Sequence, residues 1–569
     1  MLGFVLRGLE SANYGLKFNN ILLVDGIKNV FKYVKLSHSL NWTWVNLPVL
    51  SPIFLVILAS IIFILFYLYK TSELMNKKKL TWLLITFIFF FILANILIIQ
   101  KNQPPQIKFR LSLIPVQSDS TLAQSNWIGQ ALWNILTQQL QSSVADQAII
   151  SPVEWTQGVV KVDSIYDVDY LKKLNSQLGA EYVLAGKLSG NDASPNFTYQ
   201  MIQTQSSEVI INRSFLLVPQ NLPEISSKIH DEILDYFDID PKIKEAGIRY
   251  TSPDVYQKYL NGNKYYQQKK YQFALELAEQ TILADSGIIA AFLLAGKSWL
   301  MKGLEKKSNG ESPIEEFEKA KQWLTQTVAL DSSCDEAYSF LGEYYIYRER
   351  WSLAEQMLVK AYHLNAHNPR LCLSLSRLHP FRYQKLGFKN EQQLFKRAIF
   401  INPCYEDAYL MLADYYLFEN KRKKAIQILE QILEINPNSV PVLMALGKIY
   451  LVRNEILKII EIFNRVLELE PNNSNAYYNL GILYYNSEDY DTAERFLLRA
   501  IAIDNHLNAH LYLAYLYEIK GEYNKAIKYL RNRIRYGKGL DDEFAEEARK
   551  HLVKLLHRDI TEAHNDSLN

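Results

Sequence analysis

The chain has 569 residues, of which 49% are hydrophobic and 21% are charged, and its formal net charge at pH 7 is +2. This length has room for roughly three or four structural units. The near-balanced charge gives no electrostatic argument for nucleic acid, so no nucleic-acid partner is expected. The three cysteines, Cys334, Cys372 and Cys404, favour buried thiols over a disulfide framework because their number is odd.

Residues 1–46 form a tail with modest basicity and little pattern. A signal peptide is not predicted, because no basic start leads into an apolar run with a small-residue cleavage site. Weak helical periodicity over 21–34 fits a short amphipathic helix on a membrane surface. A solvated, loosely ordered tail fits the same residues equally well.

Residues 47–101 contain two apolar stretches, at 47–69 and 80–99. Each has about 20 residues or more, which is enough to cross a hydrocarbon core of roughly 30 Å as a helix. We therefore expect a transmembrane helical hairpin in contact with membrane lipid, in preference to a hairpin buried in a soluble core. Neither stretch carries a charge, which indicates an anchor and not an ion path.

The connection at 70–79 carries four lysines and one glutamate. Positive charge favours the cytoplasmic side, so the hairpin loop is expected there, with the C-terminal region on the far side. Lysines also flank both stretches, so the charge bias by itself is slight.

Residues 107–240 change character after a short Pro-rich spacer. Ile107, Phe109, Leu111 and Leu113 alternate with polar residues, as in a half-buried strand. The periodicity predicts further strands at 148–150, 182–188, 197–202 and 209–217. It predicts helices at 125–141, 166–178 and 223–237. This order, β-α-β-α-β-β-β-α, predicts a small α/β domain.

Two short segments of that domain, 113–116 (LIPV) and 178–186 (LGAEYVLAG), resemble the amino-terminal α/β domain of the TolB type. A related domain precedes helical repeats in membrane-tethered bacterial regulators, where it is periplasmic. The resemblance therefore implies an integral protein of the bacterial inner membrane, with its C-terminal region in the periplasm. Those regulators carry an output unit before the membrane, for which residues 1–46 are too short.

Residues 254–540 repeat with a period of about 34, the pattern of stacked helix pairs. Proline at 403, 437 and 471 ends successive second helices, and small residues such as Gly447 and Gly481 recur where two helices approach. Eight pairs are expected to start near 255, 289, 335, 372, 406, 440, 474 and 507. At these positions the chain resembles the tetratricopeptide repeat family. The extra residues 305–316 are expected to form a loop, and 541–558 a C-terminal capping helix.

The predicted fold is thus mainly α: two transmembrane helices, a small α/β domain, then an α-solenoid. No catalytic constellation stands out, so neither an enzyme nor a cofactor is predicted. His506 and His510 are four residues apart, but His506 lies in a turn between repeats and no carboxylate partner follows, which disfavours a metal site.

A binding groove is the functional feature that the repeats predict. In the repeat family the first helices line the concave side. Counting along each repeat places these residues there: Tyr347, Leu417, Phe418, Met444, Lys448, Tyr478, Tyr485 and Tyr515. Such an aromatic surface with few charges suits an extended or helical peptide with apolar anchors. The alternative is that these rings pack between helices. A clamp for a terminal carboxylate is disfavoured, since only Lys448 and asparagines 475, 479 and 486 could form it.

The sequence leaves two functions open. The first is a membrane-anchored scaffold or adaptor that binds a protein or peptide partner through its repeat groove. The second is a membrane-bound sensory or regulatory protein that relays an envelope signal to an output domain supplied by a partner or by missing upstream sequence. A transferase that uses the repeats as a substrate arm fails for want of a catalytic domain.

Overall fold

A computed structural model of the chain describes residues 107–119, 122, 125–144, 147–156, 168–192, 194–239, 252–308, 310–453, 455–537 and 542–566. The described residues form a mainly helical fold, in which a small sheet region precedes a solenoid of paired helices.

The sheet region contains six strands in the order β3-β1-β4-β5-β6, with the short β2 paired to β4. The strands are β1 Phe109–Leu113, β2 Gln117–Ser118, β3 Ala148–Ser151, β4 Tyr182–Asn191, β5 Ser194–Gln203 and β6 Val209–Leu216. Strand β1 runs parallel to both β3 and β4, whereas β4, β5 and β6 form an antiparallel meander.

Four helices accompany the sheet: α1 Asn126–Val144, α2 Val153–Thr156, α3 Val168–Leu178 and α4 Leu222–Tyr236. Successive side chains of a strand point to opposite faces. Leu184 accordingly joins the core of α1 and α4, while Val183 and Ala185 join the core of α3. Helices therefore cover both faces of the sheet, as the α/β pattern predicts.

Eight helix pairs follow, each with a first and a second helix. The first helices are α5 Pro253–Gln267, α7 Ile289–Ser308, α9 Asp335–Tyr347, α11 Pro369–Ser376, α14 Glu406–Phe418, α16 Val440–Arg453, α18 Ser474–Asn486 and α20 Leu507–Ile519. The second helices are α6 Tyr271–Ala284, α8 Ile314–Leu330, α10 Trp351–Leu364, α13 Glu391–Ile401, α15 Arg422–Ile435, α17 Ile456–Leu469, α19 Tyr490–Asp504 and α21 Tyr523–Arg535. A short helix, α12 Pro380–Gln384, lies inside the fourth pair, and α22 Glu543–Asp566 follows the last.

Small residues set the close approach within each pair. A Cβ on Gly481 would lie 2.7 Å from Cδ2 of Leu497, so only glycine lets α18 and α19 pack at this distance. The turn between the two helices repeatedly uses a left-handed residue, as at Lys269, Glu349 and Asn420. The period of about 34 residues thus corresponds to a recurring backbone geometry.

The extra residues of the second repeat form a shorter loop than the sequence predicts. Helix α7 continues to Ser308 and α8 begins at Ile314, so most of 305–316 is helical. The side chain of Lys306 pairs with Glu316 at 2.6 Å, and Phe317 packs where a Cβ on Gly303 would stand. These contacts extend the helix pair by about a turn at each end.

The prediction of an integral membrane protein is contradicted. Within the part of the chain that the structure describes, no helix combines the length and apolarity needed to cross a bilayer. The two stretches on which that prediction rested, together with the tail at 1–46, lie outside the described residues.

One hydrophobic core joins the sheet region to the beginning of the solenoid. It runs from Phe109 and Trp133 in the sheet region through Tyr256 and Tyr259 of α5 to Ala295 of α7. The first repeats are therefore built onto the sheet region and not merely tethered to it.

Candidate functional site

Successive first helices touch one another from α5 to α11 and again from α14 to α20, so each of these two groups forms an inner surface. We call the part formed by α14, α16, α18 and α20 the groove. It contains the sequence-predicted residues from Leu417 to Tyr515.

The sheet region covers part of the inner surface of the earlier repeats. The hydroxyl of Tyr256 on α5 donates a hydrogen bond to Oδ1 of Asn134 on α1, at 3.0 Å. Gln267, at the end of α5, donates to the Glu154 carboxylate of α2 at 3.2 Å. Trp155 packs against the core of the central repeats. The chain thus occupies this part of its own inner surface.

A second contact joins the sheet region to the fourth and fifth repeats. The Arg110 guanidinium of β1 donates to the carbonyl oxygen of Phe400 at 2.7 Å and lies 4.2 Å from the centre of the Phe400 ring. Cys404 and Ile435 pack against the sheet face that carries α3. These contacts leave the groove as the candidate site for another molecule.

Four tyrosines form a connected cluster at the C-terminal end of the groove. The ring of Tyr512 makes edge contacts with Tyr478, Tyr485 and Tyr515, with centroids 5.8, 5.6 and 6.1 Å apart. Burial is the main cause that raises the pKa of each of these phenols. Their hydroxyls therefore stay protonated at neutral pH and can donate hydrogen bonds.

The N-terminal end of the groove is more open. Phe418 is 89% exposed at the end of α14, and Lys448 is exposed on α16. Lys448 faces Asp414, whose pKa is raised by burial and lowered in part by this lysine. Met444 and Leu417 are half-buried against the central core. This end offers an exposed ring beside a charged pair.

Tyr347 lies elsewhere. Its ring stacks on Phe317 of α8 at 6.0 Å, with Lys307 and Arg377 over its faces. The structure therefore packs this ring between helices, which is the alternative that the sequence left open. Its assignment to a binding surface stays a prediction.

Helix α22 covers the C-terminal end of the groove. The hydroxyl of Tyr515 donates to Glu547, and the His551 ring makes an edge contact with Tyr515 at 5.0 Å. His551 also bonds Glu518 of α20. Tyr515, which the sequence assigns to the groove, is thus partly covered by α22, the helix that the sequence predicts as the C-terminal cap.

Sequence reasoning missed Tyr512, which lies at the centre of the tyrosine cluster. The position of Tyr512 was predictable, because Tyr512 follows Asn479 by one repeat and the same counting places Asn479 in the groove. The contact of His551 could not be found this way, because α22 lies outside the repeat pattern.

Two models of the tetratricopeptide repeat family match the chain, at residues 406–449 and 462–495. Among solved structures, the APC/C hetero-tetramer Cut9-Hcn1 is 15% identical over 58% of this chain and 60% of its own, with a TM-score of 0.39. Yeast Tom70 is 15% identical over 60% and 73%, with a TM-score of 0.41. MamA is 22% identical over 30% and 95%, with a TM-score of 0.24. No curated protein matches the chain.

The matched segments coincide with helices α14 to α19, so the chain contains tetratricopeptide repeats. Proteins with such repeats are generally non-enzymatic scaffolds that bind protein partners. The fold therefore indicates a protein–protein interaction scaffold.

Proposed function

We propose that the chain is a scaffold without enzymatic activity, and that it binds a protein partner through the groove. The observation that carries the proposal is the contrast along the inner surface. The sheet region covers part of the inner side of the earlier repeats, while the groove presents Phe418, Met444, Lys448 and the tyrosine cluster.

The chemistry of the groove favours an extended or helical segment with apolar anchors. Rings of Tyr478, Tyr485 and Tyr512 offer flat apolar faces together with hydroxyl donors, a combination common in residues that dominate binding energy. Such donors suit the carbonyl oxygens of a peptide backbone. A single lysine, Lys448, gives the site little charge for a polyanion.

The proposal predicts that Phe418→Ala and Tyr485→Ala each weaken partner binding. We would select peptides from a random displayed library on the full chain and measure the dissociation constant of one peptide by fluorescence anisotropy. Truncating a buried anchor costs about 1–2 kcal/mol, or on the order of tenfold in affinity. Circular dichroism would verify that both variants keep their helical content.

Phe273→Ala is the matched control, because Phe273 is 54% exposed on the second helix α6, away from the groove. Its dissociation constant should equal that of the unchanged chain. If all three variants bind the peptide with equal affinity, the assignment of the binding site to the groove is wrong.

We further infer that the sheet region is of the TolB amino-terminal type. Support comes from the pairing of the two segments that carry the resemblance, since Leu113 of β1 pairs with Leu184 of β4 in a parallel register. An experimental structure in which these two strands are not neighbours would remove this support.

A further inference from the structure

A buried cluster of cationic and titratable groups lies under the start of α22. Arg533 of α21 and His510 of α20 are each only 2% exposed. Within the described residues, Nε and Nη1 of Arg533 and Nδ1 of both His506 and His510 are buried without a hydrogen-bond partner. The site therefore holds one fixed positive charge and two imidazoles whose Nδ1 atoms have no side-chain acceptor among the described residues.

The one carboxylate bonded to Arg533 in this cluster also begins α22. Nη2 of Arg533 donates to both carboxylate oxygens of Asp542, at 2.6 and 2.9 Å. Oδ1 of Asp542 accepts from the backbone N–H of Ala545 at 3.1 Å, which caps the first turn of the helix. The position of α22 is thus tied to the charge balance of the cluster.

The two histidines are held in their neutral form by their contacts. Nε2 of His510 donates to Oδ1 of Asn505 at 2.7 Å, which places the ring proton there and leaves Nδ1 bare. His506 stacks on Tyr478 at 4.3 Å, with Nε2 3.3 Å from Oδ1 of Asn475. A proton added at Nδ1 of His510 would have no hydrogen-bond acceptor among the described residues and would place a second positive charge near Arg533.

The surrounding elements supply little negative charge to offset the positive charge of a protonated imidazole. Helix α19 contributes Asp504, which already accepts from Ser474. Asp542, directly before α22, accepts from Arg533, and Glu547 of α22 accepts from Tyr515. The remaining titratable neighbours include three phenols: Tyr478 of α18, Tyr512 of α20 and Tyr529 of α21. The bond between His551 of α22 and Glu518 of α20 opposes release, because a proton on His551 would turn it into an ion pair.

We propose that α22 is an acid-released cover on the C-terminal end of the groove, with His506 and His510 as proton acceptors and the Arg533–Asp542 pair as its latch. Departure of α22 separates Asp542 from Arg533 and lets water reach the cluster. It also uncovers Tyr515 and Glu518. The importance of this release for partner binding rests on the proposed function, whereas the release itself does not.

The direction of the pH effect follows from the closed state. Burial is the largest cause that lowers the pKa of His510 to about 4, followed by the positive charge of Arg533 and then by His506. Burial also lowers the pKa of His506, with Asp504 opposing it. An imidazole in water titrates near 6.5. Release should therefore begin as the pH falls through about 6.5 and grow until about 4, because only the open state takes up the protons.

Hydrogen–deuterium exchange on the full chain, with no partner present, tests the proposal. Amides of 543–557 would be compared at pH 8 and pH 5 after correction for intrinsic exchange, with amides of α14 as the internal reference. If departure of α22 exposes His510 fully, its titration makes the opening constant of α22 roughly 30-fold larger at pH 5 than at pH 8, and contacts of His510 with Asn505 and Tyr529 that remain make the increase smaller. Unchanged protection of α22 relative to α14 would overturn the proposal.

Three variants sharpen the test. His510→Gln and His506→Gln should each reduce the pH dependence of α22 opening. His363→Gln, at an exposed histidine of α10, should leave it intact. An equal pH response in all three would also overturn the proposal, and if one buried variant fails to fold, the other decides. Peptide affinity that depends on Phe418 while α22 stays closed at pH 5 would reject the cover and retain the proposed function.

Discussion

Glu343 of α9 shows how one enclosed charge can hold neighbouring repeats together. Its carboxylate accepts hydrogen bonds from Nε and Nη2 of Arg370 on α11, at 2.8 and 2.7 Å, and from the hydroxyl of Ser374 at 2.7 Å. The Arg370 guanidinium also lies 4.5 Å from the centre of the Phe340 ring. The charge helps to fix the step between the third and fourth repeats, where α11 is short.

We predict that Glu343→Gln destabilises the chain. The Glu343 side chain is 6% exposed, so an amide there would leave Arg370 without a counter-charge. Breaking a buried pair costs about 3–5 kcal/mol, but Arg370 keeps a third of its surface in solvent, so we expect about 2 kcal/mol. Urea unfolding followed by circular dichroism measures the loss.

Glu315→Gln is the control for that substitution, because Glu315 makes an exposed pair with Lys319 one turn away. Exposed pairs contribute little. Its urea midpoint should match that of the unchanged chain, and a similar fall in both variants would contradict the role given to Glu343.

Individual groove residues were predictable from the sequence only as positions on a helix. Counting along the repeat gives the face on which a side chain lies, but not what packs against it. Phe418 and Tyr347 were assigned alike, yet Phe418 is 89% exposed while Tyr347 stacks on Phe317. The difference comes from neighbouring repeats, whose side chains a single-repeat count does not include.

At the scale of elements, the repeat period predicted the helices well. The expected starts at 289, 335, 406, 440, 474 and 507 coincide with Ile289, Asp335, Glu406, Val440, Ser474 and Leu507. This agreement follows because each start depends on local signals that recur in every copy. The fourth repeat was less regular, since its extra residues form the short helix α12 and its first helix is cut to Pro369–Ser376.

The turn within a repeat gives a prediction at this scale. Glu349 adopts a φ of 56° between α9 and α10, and Gly521 occupies the corresponding turn of the last repeat with a φ of 73°. A left-handed backbone is about 1–2 kcal/mol less favourable for a residue with a Cβ than for glycine. The greater freedom of glycine in the unfolded state offsets part of this difference. Glu349→Gly should therefore raise the free energy of unfolding by about 0.5–1 kcal/mol in a urea titration.

Asn420→Gly provides the comparison, because Asn420 has a φ of 57° in the fifth repeat. Asparagine tolerates this conformation better than glutamate does. Asn420→Gly should therefore raise the free energy of unfolding by less than Glu349→Gly does. A larger gain at 420 than at 349 would refute the assignment of the gain to backbone strain.

At the scale of the whole molecule, the sequence predicted the sheet region and the solenoid but not how they meet. Arg110 and Phe400 are separated by 290 positions, and nothing in the periodicity of either segment links them. Repeat signals describe contacts between neighbours along the chain. The placement of the sheet region against the array depends on side-chain complementarity between distant segments.

The last prediction tests that placement. Arg110→Ala removes a charged hydrogen bond to Phe400 and a cation–π contact with its ring, so we expect a loss of about 2 kcal/mol in the free energy of unfolding. Hydrogen exchange should rise in β1 and near the end of α13, the two sides of the contact. Arg213→Ala is the control, since Arg213 pairs with Glu232 within the sheet region and is 61% exposed. Equal exchange in the two variants would mean that Arg110 does not hold the sheet region against the fourth repeat.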